Sequence, residues 1–123
     1  MLSNGFDSGS QLALFYSKIY PVESILQWLT CSSEISANQL SKREFSFTLP
    51  NGVYTRFQSF INASDFRARL QAQCPVKIDI GAVYNLKPSE RKSVNGMNFR
   101  PIEKELVIDI DMTDYDDVRN CCR

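Results

Sequence analysis

From Arg43 onward the hydrophobic period of this chain switches from helical to extended, and that switch limits the fold more than any other feature. Upstream, Leu12, Phe15, Tyr16 and Ile19 fall at i, i+3, i+4 and i+7, and Val22, Ile25, Leu26 and Leu29 repeat the spacing after Pro21. Proline stops the first helix and suits the first turn of a second, so the pattern predicts a helical hairpin that buries both stripes. Downstream, Phe45, Phe47 and Leu49 alternate with Glu44, Ser46 and Thr48, and residues 53–58 alternate likewise after Pro50-Asn51-Gly52. Period two on both sides of a turn predicts a β-hairpin, and an α+β architecture follows.

The register of that hairpin is readable. A two-residue Asn-Gly loop would put Phe47 opposite Arg56, whereas a three-residue loop with Gly52 left-handed pairs Leu49 with Val53 and Phe45 with Phe57. The second arrangement gathers Phe45, Phe47, Leu49, Val53, Thr55 and Phe57 on one face and leaves Glu44 diagonal to Arg56 on the other. Residues 31–42 read as a polar connection, and Asp65 to Gln73, preceded by Asn62-Ala63-Ser64, as a short capped helix burying Phe66 and Leu70. Residues 76–84 alternate again, with Val76, Ile78 and Ile80 on one face and Lys77, Asp79 and Gly81 on the other. Gly81 fits either the close approach of a ligand or a bulge. Residues 85–100 read as a mobile loop, residues 105–111 as a strand, and Thr113 onward as a capped helix.

Composition narrows the chemistry. The chain has 123 residues, enough for one domain, with 14 basic and 14 acidic side chains and no histidine. Zero formal charge removes a whole-chain attraction to nucleic acid or membrane, and a His-based triad or metal site is excluded for this sequence. The first ten residues lack a basic start and an apolar run, so no secretory leader is expected. The most apolar stretch, residues 12–29, contains Lys18, Pro21 and Glu23, so no membrane-spanning helix is expected either. Cys31, Cys74, Cys121 and Cys122 form no disulfide framework and suit a reducing, intracellular setting.

The polar faces of the four predicted strands carry Glu44, Arg56, Lys77, Asp79, Asp109 and Asp111. In a strand over 105–111, Leu106, Ile108 and Ile110 face one way while Asp109 and Asp111 share the opposite face. Paired carboxylates suit divalent cations in phosphoryl transfer, and an arginine and a lysine beside them suit a triphosphate. The competing account is the solvated face of a half-covered sheet, whose charges pair weakly.

Four segments carry a family resemblance: Arg43 to Leu49, Arg56 to Phe60, Lys77 to Tyr84, and Glu103 to Arg119 followed by Cys121-Cys122. Together they resemble the catalytic small subunit of archaeo-eukaryotic DNA primases, in its eukaryotic form. The resemblance implies an incomplete primase catalytic fold, with residues 1–123 as its N-terminal part: a helical hairpin, then a mainly antiparallel sheet with helices on one side. It implies a DNA-directed RNA polymerase that makes short RNA primers for replication. In that reading Asp109 and Asp111 hold two Mg²⁺ or Mn²⁺ ions, Glu44 serves initiation, and Arg56, Lys77, Asp79, Asp109, Ile110 and Asp111 form the nucleotide site. Asp79 would accept a hydrogen bond from a ribose hydroxyl. The partners implied are ribonucleoside triphosphates, single-stranded DNA, a primase large subunit and the DNA polymerase alpha complex, in the nucleus and away from any membrane. Cys121 and Cys122 would be half of a Zn²⁺ knuckle, since structural zinc takes four ligands. Family members continue with two more cysteines, an Arg-Arg-His-like phosphate motif and a third carboxylate, so residues 1–123 alone are expected to be inactive. The alternatives are a subunit-docking module built on the helical hairpin, or another two-metal nucleotidyltransferase or nuclease.

Overall fold

The structure, a computed structural model, describes residues 8–31, 36–111 and 113–121. Pro21 separates two helices, α1 (Ser8–Lys18) and α2 (Val22–Thr30), and stands as the N-cap of the second. The α2 stripe behaves as its spacing predicts: Val22, Leu26 and Leu29 are buried, with Ile25 packed beside them. In α1 Tyr16 is buried and Leu12 packs against the core, while Ile19, just past the helix end, is exposed. The Tyr16 hydroxyl donates to the Pro75 carbonyl at 2.6 Å, and burial pushes its pKa up to about 12. That bond ties α1 to the far end of α4 (Ala63–Gln73), which starts where the Asn62 side chain accepts from Asp65 N–H.

The stretch predicted as a polar connection contains a short helix, α3 (Ala37–Lys42). Ser36 caps it, and Leu40 is the apolar anchor that draws it onto the core. One leucine among Ser, Asn and Gln is too little periodicity to reveal a helix of six residues.

The helix α3 runs directly into β1 (Arg43–Thr48), followed by β2 (Tyr54–Gln58), β3 (Lys77–Tyr84) and β4 (Pro101–Glu103). These form one sheet in the order β2-β1-β3-β4 with antiparallel neighbours throughout. Phe45 and Phe47 of the central β1 are fully buried and meet Phe60 and Phe66 in a ring cluster, with Phe60 and Phe66 centroids 4.7 Å apart. Each such phenylalanine contributes about 2 to 3 kcal/mol by leaving water. Ile78 and Ile80 of β3 pack against the same cluster, whereas Val76 lies just before the strand and is exposed.

The hairpin loop is the three-residue one. Leu49 N–H donates to Val53 O at 2.9 Å, Gly52 N–H to Leu49 O at 2.8 Å, and Gly52 is left-handed at φ 82°. Phe47 pairs with Thr55 as that loop requires, but Phe45 pairs with Gln58 rather than Phe57. Phe57 is the extra residue of a β-bulge and takes φ 61°, unusual for a bulky side chain. Its ring therefore leaves the predicted apolar face and lies outside the core cluster.

Residues 85–100 are ordered rather than loose. Asn85 N–H donates to Arg100 O, Arg100 N–H to the Asn85 side-chain oxygen, and Asn85 Nδ2 to Asn98 O, which closes the segment on itself around two short 3₁₀ turns. The predicted strand over 105–111 is absent: β4 ends at Glu103, and among the described residues none pairs with 104–111 in the sheet. Leu106, Ile108 and Ile110 are 90%, 74% and 69% exposed. Alternation specifies a strand only when a neighbour supplies its ladder, and here none of the described strands lies beside it. The helix predicted from Thr113 is likewise a run of turns with bonds three residues apart, such as Val118 N–H to Tyr115 O at 3.1 Å. No described helix is long and apolar enough to cross a membrane.

Candidate active site

Strand alternation sends Glu44 to the face opposite Phe45, where its side chain is 4% exposed. A carboxylate so enclosed needs donors, and five are present. Arg56 Nε lies 2.9 Å from Oε1 and Arg56 Nη2 3.2 Å from Oε2, a two-point ion pair. Phe57 N–H donates to Oε1 at 3.3 Å, Ser46 Oγ to Oε1 at 3.4 Å, and the Tyr84 hydroxyl to Oε2 at 3.2 Å. Burial raises the Glu44 pKa, but the hydrogen bonds from Arg56 and Phe57 and the Arg56 charge outweigh it, so the carboxyl is held below its ordinary value. The bulge is what delivers the Phe57 N–H. Across the sheet, Gly81 and Ala82 form a second irregularity in β3, between the Phe45–Ile80 and Arg43–Val83 pairs. Of the two sequence readings of Gly81 the bulge is the one present, and the group packed closely against it is Glu44 of the adjacent strand.

On the same face Asp79 lies across from Ser46 and Lys77 across from Thr48, with Lys77 Nζ 3.2 Å from Asp79 Oδ1. Glu44, Arg56, Lys77 and Asp79 are thus brought onto one polar sheet face. A cleft of about 520 Å³ opens over its Glu44 end, walled by Arg56 and Tyr84 on one side and by Pro101, Ile102 and Lys104 on the other. That volume lies within the range of small-ligand sites.

Asp109, Ile110 and Asp111 do not line this cleft, and all three are exposed. Asp111 Oδ1 accepts from Thr113 N–H at 3.0 Å and from Thr113 Oγ1 at 2.9 Å, and these bonds hold its carboxyl below the ordinary range. Among the described residues no group of three or more acids or cysteines is placed to hold a metal. Cys31 and Cys74 are free thiols, Cys121 is exposed, and Cys122 lies outside the described residues.

Two arrangements went unread in the sequence. Arg43 is 3% exposed and donates to Gly81 O, Leu29 O and both oxygens of Glu105, the last at 2.6 and 3.0 Å. A signal existed, because Arg43 shares its strand parity with Phe45 and Phe47, and a charge on a core face requires a partner. The second is the ring assembly behind Glu44: Phe99 stacks on Tyr84 with centroids 4.2 Å apart and meets Phe57 edge-on at 6.1 Å. Nothing in the local sequence announces that contact.

No protein-family model matches the chain. Among curated proteins it is 43% identical over 108 residues to the DNA primase small subunit of Schizosaccharomyces pombe, a match covering 88% of this chain. It is 40% identical over 111 residues to that of Drosophila melanogaster, and 37% identical over all 123 residues to that of Caenorhabditis elegans. The chain is a DNA primase small subunit homologue. It spans about a quarter of the length of the relatives it matches, 24% of the yeast protein and 29% of the nematode one. As a primase homologue of α+β build, it keeps the two predicted N-terminal helices, which pack on α4 rather than mainly on each other, and the antiparallel sheet, but not the predicted pairing of the segment that bears Asp109 and Asp111.

The segment bearing Asp109 and Asp111 offers oxygen donors, the kind that suit a hard divalent cation. Mg²⁺, for example, is commonly held by one or two carboxylates plus substrate phosphates rather than by a cage of protein groups. Two exposed aspartates, one with its negative charge favoured by Thr113, supply that much. The described cysteines do not offer the four ligands of structural zinc.

Proposed function

We propose that this chain carries part of the catalytic face of a polymerase that starts RNA chains on single-stranded DNA. The observation that carries the reading is the 37–43% identity to DNA primase small subunits along 88–100% of the chain. The polar sheet face is chemically suited to the task. Arg56 and Lys77 are cations able to meet phosphate oxygens, and Asp79, beside Lys77, can accept a hydrogen bond from a ribose hydroxyl and so favour ribonucleotides. Glu44 is a buried acid at the cleft floor, held below its ordinary pKa by its donors, and would serve initiation. Asp109 and Asp111 would hold Mg²⁺ or Mn²⁺, which when bound activates a ribose hydroxyl and stabilises the leaving pyrophosphate. Ile110, between them, would pack against the nucleotide. A primase large subunit and the DNA polymerase alpha complex are the proposed partners, and the nucleus the proposed location.

The test is primer synthesis from ribonucleoside triphosphates on single-stranded DNA, by a chain extended to the length of its relatives. Asp109→Ala and Asp111→Ala should each lower the rate about a hundredfold or more, as loss of a charge-stabilising group in a reaction centre does. Wild-type rates in both variants would overturn the assignment.

A further inference from the structure

Of the five donors on Glu44, two belong to residues that lean on a single ring. Tyr84 presents its hydroxyl to Oε2 and Phe57 its backbone N–H to Oε1, and Phe99 touches both. The Tyr84 and Phe99 rings are parallel within 2° at 4.2 Å, which fixes the direction in which the phenol points. Phe57 is held from its other sides by the Arg56 and Arg91 guanidinium groups, 4.6 and 4.4 Å from its ring centre. These contacts support a left-handed backbone that a phenylalanine does not adopt unaided. Phe99 in turn is carried by the segment that Asn85 clasps through Asn98 and Arg100. None of these three aromatic rings belongs to the buried core cluster, so their packing is not needed to bury the sheet's apolar face.

We infer that Phe99 is a positioning residue for Glu44, acting through Tyr84 and Phe57, and that the 85–100 segment is a brace for the acid at the cleft floor. The inference rests on the proposed role of Glu44 in initiation. It leads to a consequence that a general packing role does not share: loss of the brace should impair the first phosphodiester bond while leaving extension of an existing primer almost intact.

The experiment compares dinucleotide formation from ribonucleoside triphosphates with extension of a preformed RNA primer, in the chain extended to the length of its relatives. Phe99→Ala should lower initiation about tenfold, the scale of one charge-assisted hydrogen bond, with extension within about twofold of wild type. Tyr84→Phe keeps the stack and removes the hydroxyl, and should lose a smaller part of initiation. Phe99→Tyr keeps the stack and should restore it. Equal losses of initiation and extension in Phe99→Ala, or no loss in either, would overturn the brace. Glu44→Gln run alongside keeps the premise separate. A selective initiation defect there with a normal Phe99→Ala refutes only the brace, whereas normal initiation in Glu44→Gln removes the role of Glu44 and the brace together.

Discussion

A side chain on Gly81 would collide with Glu44: a Cβ built there stands 3.0 Å from Glu44 Cβ and 3.2 Å from the Glu44 carbonyl oxygen. The near neighbours include backbone of the adjacent central strand, so the clash is not relieved by swinging a flexible tip. Gly81→Ala should therefore separate β1 from β3 locally and cost about 1 to 3 kcal/mol, the usual range for overpacking. Urea denaturation of the 123-residue chain measures it. An unchanged midpoint would show that the strands tolerate a methyl group there. Gly52 and Gly96 meet nothing within 4 Å, so Gly96→Ala is the matching control.

The Arg43–Glu105 pair joins β1 to the segment leading to Asp109 and Asp111, and it does so from the core side, where Arg43 also holds the Leu29 and Gly81 carbonyls. Glu105→Ala would leave a buried guanidinium with carbonyl partners only. The expected cost is about 3 kcal/mol, because removing one partner strands the other charge. Replacing both residues by methionine should cost less than the single change. A double variant as unstable as Glu105→Ala, read by denaturant titration, would contradict this account of the pair.

Acid sensitivity follows from the same carboxylates. Hydrogen bonds from Arg43 hold Glu105 below its ordinary pKa, and for Glu44 the bonds from Arg56 and Phe57 overcome the opposing effect of burial. A carboxyl with a lowered folded pKa contributes stability that is complete above its unfolded value of about 4.3, and loses it as the pH falls through the folded one. Stability should be flat from pH 7 to about pH 5 and then decline, and Glu105→Gln should flatten the decline. Unfolding midpoints measured at pH 7, 5, 4 and 3 in both proteins test the sign. A steeper decline in the variant would reverse it.

What the sequence disclosed and what it withheld divide along the range of the interactions. The two N-terminal helices, α4 and the Leu49–Val53 loop rest on spacing and turn chemistry within a few residues, and they form where read, with Ile19 left past the end of its helix and exposed. The diagonal relation of Glu44 to Arg56 followed from that register and is present as an ion pair. The bulge at Phe57 was not legible, since the bond its N–H gives Glu44 and the contacts from the remote Arg91 and Phe99 side chains support one extra residue in β2. The order of residues 85–100 depends on a ring stack across fifteen positions of sequence, from Tyr84 to Phe99, which no local pattern encodes. Residues 105–111 mislead for the opposite reason: their alternation is strong, but a strand needs a neighbour, and the described sheet ends with β4 at Glu103. Asp109 and Asp111 are consequently read as candidate metal ligands from residue type and family likeness, not from a cluster already assembled.

Two helices end in cysteines that hold left-handed backbone, Cys31 at φ 50° after α2 and Cys74 at φ 43° after α4. Each serves as a C-cap, its N–H returning to a carbonyl of the last turn. Glycine is the residue this position favours, since a Cβ there costs roughly 1 to 2 kcal/mol, partly offset by the greater freedom of glycine in the unfolded chain. Cys31 is exposed, and its thiol makes a long 3.7 Å contact to the Trp28 carbonyl that the helix end can forgo. Cys31→Gly should thus stabilise the chain by about 0.5 to 1 kcal/mol, raising the thermal midpoint by a few degrees. Cys31→Ala, which keeps the Cβ and removes the thiol, should not. Thermal unfolding followed by circular dichroism distinguishes the two, and an equal rise in both variants would assign the effect to the sulfur rather than to the backbone.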